Sequence, residues 1–195
     1  MSKSDPAAQK RERTKHIKWV VTIFFVTILI SGTISLLSDM VMSASTMFVA
    51  FLILLAIILV GIVFDIIGMA VATADEKPFH SMAARKVPGA QEAIALLRNA
   101  ERVSSICNDV VGDICGVVSG SASATIAAQI LSNFEFSWPQ IVSLAMSALA
   151  AGLTVGGKAI GKSFAVNSCT SIVHTVGRMV YTGKNLFRQK KKTKK

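Results

Sequence analysis

Charged residues are scarce in this chain. Only 16% of its 195 residues are charged, while 52% are hydrophobic and the mean hydropathy is +0.56. A soluble domain normally carries about 25% charged residues, because its surface faces water. The shortage of charge therefore excludes an ordinary soluble domain of this size, and it predicts an integral membrane protein.

Cysteine is also scarce, and nucleotide-binding motifs are missing. The three cysteines, Cys107, Cys115 and Cys169, have no Cys-x-x-Cys or Cys-His spacing, which argues against a disulfide framework or a zinc site. We expect them to be reduced and buried. No Walker loop or dinucleotide fingerprint occurs, and His80 and His174 have no nucleophile motif around them. We therefore expect no nucleotide cofactor and no enzymatic activity.

The chain has no soluble domain that could read a nucleic acid, although it is strongly basic. Lysine and arginine total 21 against 11 acidic residues, and many of the basic residues lie at the two ends, 1–18 and 188–195. Polybasic segments next to membrane spans contact anionic lipid more simply than nucleic acid. We predict anionic lipids as partners of these termini and no nucleic-acid partner.

Four apolar runs predict four transmembrane helices, at 19–38, about 45–74, 103–131 and 141–165. Every lysine and arginine falls in or beside 1–18, 77–102 or the chain from 158 onward, and the loops 38–46 and 132–140 contain none. By the positive-inside rule, both termini are cytoplasmic, and we expect the plasma membrane. Phe136 and Trp138 predict a turn at the outer interface.

Amphipathic segments follow the second and fourth spans. The insert at about 78–101 predicts two short helices, Phe79–Lys86 and Ala90–Arg98, and the segment 166–187 predicts a third helix. Its apolar face is expected to carry Ile172, Val176 and Val180. The predicted fold class is an all-α membrane protein with four transmembrane helices and cytosolic juxtamembrane amphipathic helices, followed by a disordered Lys-rich tail at 188–195.

Small residues recur every four positions in the last two spans. Such repeats let two helices approach backbone to backbone, so they predict tight packing of spans three and four, or of two copies of the chain. In the third span the repeat runs from Ser104 to Ala128. The glycines assigned to helix packing are Gly112, Gly116, Gly120, Gly152, Gly156, Gly157 and Gly161.

A few polar residues interrupt the apolar spans. Carboxylate and amide oxygens suit a hard cation such as Mg²⁺, and an ionisable group in hydrocarbon suggests a function. Alternatively these groups pair with one another, Asp65 with Lys158 for example, and only fix helix packing. The candidate metal ligands are Asp65, Ser104, Asn108, Asp109 and Asp113.

Several short motifs occur in a fixed order along the chain. Phe64–Ala70 ends the second span, Asn99–Arg102 closes the insert, Asn108 follows, and Gly157–Ser163 ends the fourth span. Over about residues 50–187 this order resembles the CNNM/CorB/CorC transmembrane domain. The resemblance implies a homodimer of three-span units, at 45–187 here, with a belt of juxtamembrane helices. The first span is then an addition, and the family's CBS-pair domains are absent.

The resemblance implies Mg²⁺ transport and an ion site between the helices. The family's asparagine is retained as Asn108. Asp65 and Ile67 stand here at the family's two serine positions, and Gly68 stands in place of the glutamate that follows them. The later motif has Lys158 in place of glutamate and Gly161 in place of proline.

Lys158 modulates the predicted site in one of two ways. Its ammonium group pairs with a carboxylate and holds the site shut, or its side chain extends to the cytosolic face and leaves the site to an ion. The first hypothesis is a protein of divalent-cation (Mg²⁺) transport or homeostasis. The second is a non-transporting scaffold or regulatory subunit in which Lys158 occupies the ion site.

Overall fold

The computed structural model describes residues 6–43, 45–134 and 138–192, and most of these residues are helical. The helices are α1 (Pro6–Ser43), α2 (Met47–Thr73), α3 (Lys77–Ala84), α4 (Ala90–Leu97), α5 (Ala100–Ser105), α6 (Asp113–Asn133), α7 (Pro139–Asn167) and α8 (Cys169–Lys192). A π-helical segment, Ile106–Gly112, joins α5 to α6.

Four stretches of helix are long and apolar enough to cross a membrane. They are Ile17–Met42, Met47–Thr73, Ala100–Asn133 and Pro139–Asn167. These four stretches match the four predicted spans, and the predicted class, an all-α membrane protein, is confirmed.

Some predicted boundaries were wrong. The first helix continues to Ser43, so most of the expected loop 38–46 is helical, because Asp39 finds a partner on a neighbouring helix and does not end α1. The last helix reaches Lys192, so its backbone enters the segment predicted as a disordered tail. Glu135 and Phe136 of the predicted outer turn lie outside the described residues.

The second helix forms the centre of the bundle. Its buried residues Ala50, Leu54 and Ile58 pack against Ile126 of α6 and Met146 of α7. Residues later in α2 contact residues later in α7, so these two helices are parallel. Within a membrane, close packing of this apolar surface stabilises the bundle through van der Waals contacts between the helices.

The first helix lies at the edge of this bundle, against α6. Ser121 Oγ donates a hydrogen bond to Asp39 Oδ1 over 3.0 Å, and Gln129 Nε2 donates one to the Met42 carbonyl oxygen over 2.8 Å. Ile23 adds an apolar contact with the side of α6. The most apolar part of α1 is nevertheless unburied in the single chain.

A second apolar cluster joins α3, α4 and α8 to the end of α2. Phe79 is fully buried there, and Val71 of α2 packs with Leu97 of α4 and Val173 of α8. The predicted short helices at 79–86 and 90–98 therefore exist, at Lys77–Ala84 and Ala90–Leu97.

The buried face of α8 differs from the predicted one by one residue. Val173 and Gly177 are buried, whereas Val180 is exposed. A Cβ atom on Gly177 would lie 2.5 Å from the carbonyl oxygen of Gly89, so α8 crosses the start of α4 backbone to backbone. An apolar pattern gives glycine no weight as a contact residue, and this is why the sequence placed the face at Ile172, Val176 and Val180.

Candidate intramembrane ion site

A charged pair lies between α2 and α7. Asp65 is 6% exposed and is the one charged residue among the buried residues of the described chain. Lys158 Nζ lies 3.6 Å from Asp65 Oδ1. A charge inside an apolar bundle is costly unless an opposite charge accompanies it. Of the two positions foreseen for Lys158, the structure shows the one in which it pairs with a carboxylate.

Gly112 provides the space that the ammonium group occupies. A Cβ atom at this position would lie 3.2 Å from Lys158 Nζ and 3.5 Å from the carbonyl oxygen of Cys107. The same atom would lie 3.9 Å from Asp65 Oδ1. Gly112 was predicted to pack helices together, but it borders the ion pair and is part of the site.

Asn108 and Ser104 form the next layer of the site. Asn108 Nδ2 donates a hydrogen bond to Ser104 Oγ over 3.3 Å. The amide oxygen of Asn108 points at Gly68, where any Cβ atom would overlap it. Because Gly68 follows Asp65 by three residues on the same helix face, this layer lies about one helical turn, ~5 Å, from the ion pair.

Two oxygens of this site are buried without a hydrogen-bond partner among the described residues. They are Asp65 Oδ2 and Asn108 Oδ1. Buried oxygens are nearly always bonded in folded proteins, and leaving one unsatisfied costs about 1–3 kcal/mol. A carboxylate oxygen and an amide oxygen are also typical ligands of hard cations. The chemistry of this pair therefore suits cation binding.

The π-helical segment contains both Cys107 and Asn108. Such segments are rare within α-helices and occur frequently at functional sites. This segment was not among the predicted elements. The adjacent Asn108 and Asp109, whose side chains compete for backbone hydrogen bonds, are the one signal that points to an irregular helix there.

The other two predicted carboxylates lie elsewhere. Asp109 and Asp113 are both exposed, and Asp109 Oδ2 accepts a hydrogen bond from Ser105 Oγ over 2.7 Å. In the described part of the chain, no three His, Cys, Asp or Glu residues come together to hold a metal ion. The expectation that three carboxylates line one site is wrong, because Asp109 and Asp113 lie on a different face of the third span from Asn108 and Gly112.

The ladder of small residues on the third span turns away from the interior. Gly112 is buried and Gly116 half-buried, but Gly120, Ala124 and Ala128 are exposed. Since each residue advances an α-helix by about 100°, every four-residue step rotates the ladder by about 40°. A Cβ atom on Gly116 or Gly120 would meet nothing within 4 Å. Their packing role stays a prediction about a second copy of the chain.

The glycines of α7 pack against α2 rather than against the third span. A Cβ atom on Gly157 would overlap Ile62, and one on Gly161 would lie 2.8 Å from Ile66 Cγ1. Gly152 and Gly156 have open space around them, so their packing role also stays a prediction. The close approach at Gly157 and Gly161 flanks Lys158 on both sides, and it brings the lysine within reach of Asp65.

Two glycines of α2 that the sequence analysis did not assign to packing hold the third span close to Asp65. A Cβ atom on Gly61 would lie 2.9 Å from Cys115 Cβ, and Gly68 contacts Asn108. Gly61, Asp65 and Gly68 are spaced at i, i+4 and i+7, so they share one helix face. This spacing around an intramembrane carboxylate is the signal that would have identified the interior face of α2.

Comparisons with family models, with curated proteins and with solved structures find no match to this chain. The resemblance to the CNNM/CorB/CorC transmembrane domain therefore stays a prediction.

Proposed function

We propose that this chain transports a cation across the membrane through a site centred on Asp65. The observation that carries the proposal is the pair of buried oxygens, Asp65 Oδ2 and Asn108 Oδ1, that have no hydrogen-bond partner in the described structure. A carboxylate within a membrane costs at least ~2.5 kcal/mol, and such residues typically mark ion pathways. Helix packing alone does not require this cost.

The resemblance suggests Mg²⁺ as the transported ion and a homodimer as the transporting unit. Ser104 and Asn108 supply neutral oxygens beside the carboxylate of Asp65. The distribution of lysine and arginine supports an orientation with both termini in the cytosol, and we propose the plasma membrane as the location. In that orientation the site lies in the cytosolic half of the bundle, since Asp65 precedes the end of α2 by eight residues, or ~12 Å.

Asn108→Ala tests this proposal in proteoliposomes loaded with cation-sensitive dyes. The substitution removes an uncharged oxygen of the site without leaving a charge unpaired. We expect cation flux to fall about tenfold or more, the effect typical of removing a group that supports an ion site. The matched control is Asn133→Ala, because Asn133 is exposed and its side chain bonds to the Gln129 carbonyl oxygen of its own helix. Equal flux through both variants would contradict the proposed site.

A second function is favoured by the ion pair itself. The ammonium group of Lys158 already balances the charge of Asp65, as expected for a scaffold or regulatory subunit that no longer transports. The exposed small residues Gly120, Ala124 and Ala128 would then bind a second copy or another membrane protein. If the chain is such a scaffold or regulatory subunit, neither the wild type nor Asn108→Ala carries cations. Its function is then to bind a second copy or another membrane protein.

A further inference from the structure

We infer that the cation accepted at Asp65 is singly charged and that it competes with the ammonium group of Lys158 for the same carboxylate. The inference rests on the proposed transport function, and it specifies a singly charged cation in place of the Mg²⁺ that the resemblance suggests. Its basis is the number of charges inside the bundle and the place that Lys158 occupies.

The described interior contains a single negative charge, that of Asp65. Two neutral oxygens belong to the neighbouring π-helical segment, namely the carbonyl oxygen of Cys107, beside Gly112, and the amide oxygen of Asn108, in the layer about one helical turn from the ion pair. Asp109 and Asp113, which would raise the negative charge, are exposed on another face. One carboxylate with neutral oxygens balances the charge of a cation that carries one charge.

The cost of uncompensated charge separates the two classes of cation. A singly charged ion that replaces the ammonium group at Asp65 leaves the net charge of the site at zero, as it is with Lys158. A Mg²⁺ ion leaves one positive charge in excess even after Lys158 withdraws, and an unpaired charge in an apolar interior costs several kcal/mol. Mg²⁺ also gives up its water reluctantly and requires nearly octahedral coordination.

The position of Lys158 fits the role of a tethered competitor. Its ammonium group is a singly charged cation, it lies 3.6 Å from Asp65 Oδ1, and Gly112 leaves room for it. The lysine side chain is still 22% exposed, so the bundle does not enclose it completely. Because the competitor is covalently attached, its effective concentration at Asp65 is high, and it weakens the apparent affinity for a free cation.

The experiment measures cation binding by thermal unfolding of the full chain in detergent. KCl, NaCl and MgCl₂ are titrated against choline chloride at matched ionic strength, and the wild type is compared with Lys158→Met. Lys162→Met is the matched control, because Lys162 is an exposed lysine one turn further along the same helix. We expect K⁺ or Na⁺ to stabilise the wild type and Lys162→Met equally. We expect the half-saturating concentration of K⁺ or Na⁺ to be at least ~tenfold lower for Lys158→Met than for the wild type.

Lys158→Met leaves the Asp65 charge unpaired, and this variant could fail to fold for that reason. A second variant without the buried charge keeps the experiment decisive. Asp65→Asn combined with Lys158→Met has an uncharged interior, and we expect it to fold and to show no stabilisation by K⁺ or Na⁺. Stabilisation of this double variant equal to that of the wild type would overturn the inference.

The ions carried by wild-type proteoliposomes separate this inference from the proposed function. Flux of K⁺ or Na⁺ but not of Mg²⁺ supports both the single-charge inference and the transport proposal. Flux of Mg²⁺ without K⁺ or Na⁺ overturns the single-charge inference and leaves the transport proposal standing. Absence of flux for all three ions overturns the transport proposal and removes the basis of the inference with it.

Discussion

Single glycines decide how closely the helices approach the buried carboxylate. Gly61 and Gly68 lie on the same face of α2 as Asp65, one on each side of it, and each contacts the third span. On the other helix, Gly112 leaves room for the Lys158 ammonium group. A methyl group at any of the three would displace a side chain of the site. At this scale, glycine sets the geometry of the ion pair.

Gly68→Ala provides the test at the scale of the residue. The added methyl group overlaps the Asn108 amide oxygen, so we expect a loss of about 1–3 kcal/mol, the usual cost of overpacking a filled interior. Thermal unfolding in detergent micelles measures the loss as a lower midpoint. Gly120→Ala is the control, since a Cβ atom there has open space and alanine is the better helix former. An unchanged midpoint for Gly68→Ala would show that Asn108 moves aside freely.

At the scale of the element, the sequence predicted which segments are helical better than it predicted which side of each helix is buried. Long apolar runs fixed the four spans, because length and hydropathy suffice to identify them. A helix that is apolar on nearly all sides, such as α2, gives no hydrophobic periodicity for its buried face, so that face is marked only by the spacing of Gly61, Asp65 and Gly68. The same difficulty applies to the ladder of the third span, whose four-residue spacing drifts around the helix.

The site residues were only partly predictable, because the sequence does not show which side of each helix is buried. The contact of Asn108 with Ser104 follows from their spacing within one helix, and the pairing of Asp65 with Lys158 was one of two alternatives. The contribution of Gly112 and the exclusion of Asp109 and Asp113 depend on how the third span is rotated against α2. Nothing in the local sequence specifies that rotation, because it is set by contacts between distant segments such as Gly61 with Cys115.

The crossing of α8 over α4 yields a prediction at the element scale. Gly177→Ala places a methyl group 2.5 Å from the Gly89 carbonyl oxygen and 3.0 Å from Ala93 Cβ, so we expect α8 to detach more often. A weakening of about 1.4 kcal/mol raises the opened fraction tenfold. Limited trypsin digestion measures it as faster cleavage after Arg178 or Lys184. Gly183→Ala, where a Cβ atom meets no atom of the described side chains within 4 Å, should be cleaved at the wild-type rate.

At the scale of the whole molecule, the single chain leaves much of its apolar surface uncovered. The large apolar side chains of α1 are mostly exposed, and the outward face of α6 carries the small residues Gly120, Ala124 and Ala128. Lipid covers such surfaces in a membrane, but small residues in register also allow another helix to approach closely. The proposed homodimer would use this face of α6.

Ala124→Leu tests the proposed association of two copies. A larger side chain on this exposed face keeps two backbones apart, so we expect the dimer to dissociate at least tenfold more readily, about 1.4 kcal/mol. Light scattering in detergent, together with chemical crosslinking in membranes, gives the oligomeric state. Ala148→Leu on the exposed side of α7 is the control and should behave like the wild type. Recovery of a lone wild-type monomer under both conditions would argue against the homodimer and the scaffold function.

The unbroken course of α2 has a mechanical consequence. Asp65 inside the bundle and Val71 in the cluster with α4 and α8 are carried by one continuous helix, six residues or ~9 Å apart. A helix segment this short behaves as a rigid rod, so a tilt of α2 moves both positions together. A displacement of the cluster with α4 and α8 that tilts α2 would therefore move the ion pair as well.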